Sequence, residues 1–303
     1  MQGPMLARPE SLFLAAQSRA GGQRLALFHA PRPGPARGLV IYLHPFAEEM
    51  NKSRRMAALQ ARALAEVGFA VLQIDLLGCG DSSGDFGDAA WSDWIDDVQL
   101  AVHWLRERLP GSADAPLWLW GLRSGCLLAV EAARHLQQPC NFLFWAPTCS
   151  GKTVLQQFLR LKVASDLIGG QAKGVMDGLR QQLASGASVE IAGYPLAPPL
   201  ATGLEASELK PDHLIAPGLP SGGQPARLVW LELSTREDAS LTPVATKTLG
   251  LWQQAGFALL SHIVAGPAFW QTTEIEDAPA LIQATCSALT DARPGASTPG
   301  ATA

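Results

Sequence analysis

A chain of 303 residues that is 48% hydrophobic and 17% charged can bury a large core, and its length suits one large α/β domain. A net charge of −4 and a pI near 5.9 give no basic field of the kind that nucleic acid or an anionic membrane surface attracts, so neither is expected as a partner. The five cysteines, Cys79, Cys126, Cys140, Cys149 and Cys286, lack the close pairs of zinc or redox motifs, so no metal or cofactor is expected.

Glu10 to Ala16 and Arg24 to His29 read as an opening pair of strands, with Ala20-Gly21-Gly22 as the turn. Gly38 to His44 is a continuous apolar run, the pattern of a strand buried on both faces in a largely parallel sheet. A charged loop, Phe46 to Arg55, is expected to follow, then a helix over Met56 to Val67 capped by Gly68 and a strand over Phe69 to Asp75. Two strand-helix units in succession imply a right-handed parallel crossover. Trp91 to Leu109 is helical, with Asp96-Asp97 expected as a capping or solvated pair, and Trp91, Trp94 and Trp104 as packing residues.

Leu117 to Ala133 is an apolar strand, a glycine-bearing turn and an Ala/Leu-rich helix, the context of a nucleophile elbow, G-x-Nu-x-G. Its glycines are Gly121 and Gly125, and its apex is Arg123. A guanidinium carries donors only and stays charged, so it can neither attack a carbonyl nor accept a proton. Ser124 is one residue late, which on a helix start rotates its side chain about 100° from the apex direction.

Cys140 to Ala146 is the next strand. From Cys149 to Pro225, glycines and prolines interrupt weakly periodic helices, as in a cap inserted over a sheet and governing access to it. Arg227 to Leu233 resumes the sheet, followed by a helix over Thr242 to Gln254, a strand over Phe257 to Val264 and a closing helix over Ala278 to Leu289. The organisation expected is one domain over 1–290 with a cap at about 149–225, and a disordered tail over 291–303, too poor in apolar residues to order itself. No apolar run reaches the roughly 18 residues that span a bilayer and no signal segment opens the chain, so a soluble, cytoplasmic protein is expected.

The pair D-L-L-G-C-G-D-S-S-G (75–84) and W-G-L-R-S-G-C-L-L-A (120–129), in this order and each at a strand end, resembles the α/β-hydrolase superfamily over roughly Leu39 to Thr290. More narrowly, H-P-F-A-E-E-M-N-K-S-R-R-M (44–56) with I-A-G-Y-P-L-A-P-P-L (191–200) is similar to the exosortase A system-associated hydrolase 2 group. That resemblance implies a bacterial protein found beside exopolysaccharide biosynthesis and a protein-sorting system, with an α/β-hydrolase fold: a mostly parallel sheet, helices on both faces and a helical cap. It also implies a triad in the order Ser, Asp/Glu, His.

The acid region is Ser234-Thr235-Arg236-Glu237-Asp238, where Asp238 or Glu237 can stand, but Val264 to Trp270 after the last strand holds no histidine. His262 lies within that strand and reads as a hydrogen-bonded structural residue; His44, at a strand end, reads as a positioning residue. Cys126 reads as a small packing residue rather than an activated thiol. The backbone amides of Phe46 and Ser124 are expected to converge on an oxygen above the elbow.

Two functions follow. One is a degenerate hydrolase whose pocket, formed by Phe46, Arg123, His44, Glu48, Glu49 and Lys52, binds an anionic or acyl small molecule, unless Glu48 or Glu49 plugs Arg123 internally. The alternative is an active hydrolase or acyltransferase on an ester or thioester, with Ser124 and Asp238 as catalytic residues. The oligomeric state is left open.

Overall fold

The computed structural model describes residues 8–16, 20–32, 34–112, 114–136, 138–168, 174–214 and 225–291; the expected tail lies outside the described residues, apart from Asp291. The chain runs β1 (Glu10–Ala15), β2 (Gln23–His29), β3 (Gly38–Leu43), α1 (Glu48–Glu66), β4 (Phe69–Ile74) and α2 (Trp91–Arg108). It continues through β5 (Leu117–Leu122), α3 (Gly125–His135), β6 (Asn141–Trp145), α4 (Gly151–Ile168) and α5 (Val175–Ala184). After β7 (Val189–Ile191), β8 (Tyr194–Leu196) and α6 (Pro198–Ala206) come β9 (Arg227–Ser234), α7 (Pro243–Gln254), β10 (Ala258–Ala265) and α8 (Pro279–Thr290).

Eight strands form one sheet in the order β1-β2-β4-β3-β5-β6-β9-β10, parallel from β4 to β10, with β1 and β2 antiparallel at one edge. All six residues of β3 and all six of β5 are buried, as their unbroken apolar sequences require of strands covered on both faces. Helices α1 and α8 cover one face around Trp120, Trp145 and Leu281, while α2, α3 and α7 cover the other around Leu119, Phe142 and Trp252. This is the α/β-hydrolase fold.

The charged stretch after β3 is helical rather than a loop, since α1 begins at Glu48. Its signal was present in Met50, Ser53, Ala57, Gln60, Ala61 and Leu64, a buried stripe at helical spacing. Glu48 and Glu49 in the first turn complement the helix dipole. Between β6 and β9, α4, α5 and α6 are joined by the antiparallel β7-β8 hairpin, an element that three-residue strands were too short to announce.

Asp97 is a second correction. It is buried, not solvated, and pairs with buried Arg24 at 2.6 Å while accepting the Leu77 amide at 2.7 Å. Helix α2 is thereby tied both to β2 and to the glycine turn after β4, and Asp96 alone stays exposed.

Candidate functional site

The elbow is built as its glycines dictate. A Cβ at Gly121 would press on the Cys126 amide, and one at Gly125 would overlap the Leu43 carbonyl, so β5, α3 and β3 close up only with glycine at both positions. Between them Arg123 is held at φ 55°, a left-handed conformation unfavourable for a side-chain-bearing residue. The turn is fixed by the Arg123 amide bonding to the Trp145 carbonyl at 3.0 Å and the Cys126 amide bonding back to the Arg123 carbonyl at 3.2 Å.

Ser124 is 96% removed from solvent, and its Oγ accepts the Phe46 amide at 2.8 Å. That amide is the donor expected to face an oxyanion, so the expectation of two free converging amides is corrected: the protein's own hydroxyl fills one of them. His44 is buried; Nδ1 donates to the Pro45 carbonyl at 2.9 Å and Nε2 accepts the Leu76 amide at 3.5 Å. Burial lowers its pKa, keeping a neutral ring that bridges the ends of β3 and β4. Cys126 is fully buried, and burial holds its thiol well above the ordinary cysteine range, so the helix N-terminus does not activate it.

The Arg123 guanidinium lies between three elements. Its Nε is 3.5 Å from Glu49 Oε1 on α1, and its Cζ stands 5.5 Å from the centre of the Trp270 ring, in the segment after β10. Gln271 Nε2, next in that segment, donates to the same Glu49 oxygen at 3.4 Å. Burial pushes the Glu49 pKa up against the opposing pull of Arg123. Glu232, on β9 and anchored by Trp230 Nε1 at 2.9 Å, is likewise raised by burial and feels the Arg123 charge. Glu232 was missed in the sequence; its signal is a carboxylate interrupting the apolar run Leu228 to Leu233 near the C-terminal end of a strand.

Glu49 thus meets Arg123 Nε as an ion pair outside hydrogen-bond geometry, and this Nε has no hydrogen-bond partner among the described residues. The buried donors Arg123 Nε, Trp270 Nε1 and Thr148 Oγ1 are all without a hydrogen-bond partner among those residues. Thr148 sits beside the elbow, its amide 3.5 Å from the Arg123 carbonyl. The chemistry on offer at the apex is donation from a fixed positive charge, and among the described residues the Ser124 hydroxyl is bonded to the Phe46 amide rather than to a base.

Glu48 turns instead to β8, where Tyr194 Oη donates to it at 3.3 Å and receives a bond from Asn51 at 3.2 Å. The two stretches 44–56 and 191–200 therefore touch. Beneath this contact Phe46 packs edge-on against Phe158 of α4 at 5.1 Å, Phe86 at 5.3 Å and Trp94 at 5.8 Å, filling the space beside the elbow with rings. Lys52 is half-buried on α1 and makes no ion pair among the described residues.

The remaining candidates lie apart from this cluster. Asp238 is 78% exposed and is paired with Arg236 at 3.0 Å. Glu237 is exposed too. His262 is exposed on β10 without a hydrogen bond among the described residues, correcting its reading as a bonded structural histidine: the edge of the sheet leaves its ring in solvent. A cleft of about 150 Å³ beside Phe28, His29, Arg62 and Glu66 shares no residue with the elbow.

Comparison with known proteins agrees with the fold. Residues 34–177 match the family model Hydrolase_4, described as serine aminopeptidase, S33. A 100-residue stretch is 31% identical to human Protein ABHD12B, covering 33% of this chain and 25% of that one, so the match spans about a quarter of the curated relative's length. Among solved structures, Est1E from Butyrivibrio proteoclasticus with ferulic acid bound superposes with a TM-score of 0.59 at 14% identity, covering 92% of this chain and 96% of that one. A thermostable carboxyl esterase from Bacillus coagulans in complex with glycerol gives 0.55 at 16% identity, covering 86% and 91%. At such identities the likeness is one of fold, and the chain has the α/β-hydrolase fold. No helix among the described residues is long and apolar enough to cross a membrane.

Proposed function

We propose that this protein is a binding member of the α/β-hydrolase fold, with a degenerate triad and Arg123 as the anchor for an anionic group of a small molecule. The observation that carries the reading is the elbow itself: a guanidinium stands at the apex while the neighbouring hydroxyl occupies the Phe46 amide. The unpartnered donors at Arg123 and Trp270 support a ligand that brings acceptors, a carboxylate or phosphate. The aromatic packing under the cap leaves an acyl chain to compete with the protein's own rings, which favours a compact ligand. On the resemblance of 44–56 and 191–200, the setting we propose is the cytoplasmic side of an exosortase-linked exopolysaccharide system, with 1–290 acting as one unit and about 149–225 as its cap.

Glu49 is the internal competitor. Its pKa is raised in the folded protein, so it gives up its charge above the ordinary carboxylate range, and an external anion is expected to bind more tightly as pH falls through that raised value and more weakly at pH 8. Glu232, raised in the same way, adds to the slope in the same direction. Glu49→Gln removes the competitor: about tenfold tighter binding at pH 8 and a flatter pH profile are expected, a change of roughly 1.4 kcal/mol. Calorimetric titration with acetate, hexanoate and inorganic phosphate checks this, and undiminished binding in Arg123→Gln would remove the guanidinium from the account.

A further inference from the structure

β10 closes one edge of the sheet, pairing with β9 on one side only among the described residues. None of its eight residues is fully buried, and Ser261, His262 and Ala265 are exposed. The Ala258 amide donates to Ala226 and the Gly266 amide to Ser234, both toward β9. Backbone direction alternates along a strand, so Leu259, Ser261, Ile263 and Ala265 turn their N–H and C=O groups outward.

Native edges are blunted by charge, proline, a bulge or a covering element. β10 contains no proline and no Lys, Arg, Asp or Glu, and its register with β9 is continuous from Ala258 to Ala265. Its flanks repeat the pattern. Helix α7 packs on one face of the sheet and α8 on the other, and Lys247 is the only Lys, Arg, Asp or Glu in α7, β10 and α8 together. Depletion of charge across a contiguous surface marks the core of an interface rather than a solvated flank.

We infer that β10 pairs with β10 of a second copy of this chain, antiparallel about a two-fold axis midway between the two His262 residues, joining the two eight-stranded sheets into one. Such an axis is perpendicular to the sheet and keeps every side chain on its own face. Centred on the His262 pair, it sets Ser261 opposite Ile263 and Leu259 opposite Ala265, so all four outward residues of each copy exchange their bonds, about eight in total. Centred one residue earlier, it leaves Ala265 without a partner inside the strand. A second copy fits because an uncharged strand meets no like charge in its own image, and a closed two-fold pair is the commonest way for a soluble chain to satisfy such a surface.

Sedimentation velocity of the full chain, from about 5 to 100 µM, tests this with two variants. Ser261→Pro removes an outward N–H and leaves the bonds to β9 intact; His262→Lys places two charges face to face on the axis while altering only an exposed side chain. The wild type is expected to sediment as a dimer, Ser261→Pro as a monomer with an unchanged circular dichroism spectrum, and His262→Lys with dimerisation weakened at least tenfold at low salt. A wild type that stays monomeric at the highest concentration overturns the inference. So does a dimer that survives both substitutions, and His262→Lys decides the matter if Ser261→Pro fails to fold.

Discussion

Arg123→Ser, which puts a hydroxyl back at the elbow apex, is expected to leave ester hydrolysis at the background rate. An apical serine attacks only when a base removes its proton, and the segment after β10, where the α/β-hydrolase resemblance would place that base, offers Trp270 and Gln271. Loss of either member of a Ser-His pair costs about as much as loss of the whole triad, around 10⁶ in turnover, so one restored member gains nothing measurable. The oxyanion side is deficient as well, because the Phe46 amide is bonded to Ser124. Hydrolysis of p-nitrophenyl acetate by Arg123→Ser and by Arg123→Ser/Ser124→Ala checks both points. Turnover well above buffer in either variant would mean that a base acts from a residue other than the expected histidine.

Asp97→Ala is expected to destabilise the fold by about 3–5 kcal/mol, the cost of leaving one partner of a buried ion pair uncompensated. Arg24 is fully buried and Asp97 is 99% buried, so neither charge has water to fall back on. Burial outweighs the attraction of Arg24 and pushes the Asp97 pKa up to about 6. The sign follows from linkage: the native state holds this proton more tightly than the unfolded chain, so the favourable contribution of Asp97 is greatest below about pH 4 and is lost as pH rises to about 6. Replacing both partners by leucine is expected to recover only part of the loss, because the Leu77 amide that Asp97 accepts is left without an acceptor. Urea denaturation at pH 7.5 and pH 5 measures both effects. A shift below 1 kcal/mol for Asp97→Ala would mean that the pair is solvated in solution.

The order of strands and helices was legible because the parallel strands are nearly pure apolar runs and the glycines at 121 and 125 punctuate them. The elbow was legible for a stronger reason: each of those glycines touches backbone from another element, so no other residue fits. What escaped the sequence depended on distance in space. Asp97 and Arg24 are 73 residues apart, and a charge on a helix reads as solvated until its partner is known. Glu232 and Trp270 join Arg123 only through the alignment of β9 and β10, and Ser124 was set beside Phe46 by the closure of α3 on β3. The start of α1 was hidden by the density of charge from Glu48 to Arg55, although its buried stripe was already written in the spacing of Met50, Ser53 and Ala57.

On the proposed function this elbow presents a guanidinium and no activated hydroxyl. Incubation of the wild-type protein with a fluorophosphonate probe, followed by peptide mass mapping, reads it most directly. No labelling of the tryptic peptide that begins at Ser124 is expected, even at long incubation, because the Ser124 Oγ is buried and bonded to the Phe46 amide, with no base bonded to it among the described residues. Stoichiometric labelling at Ser124 would contradict it and make the protein a serine hydrolase.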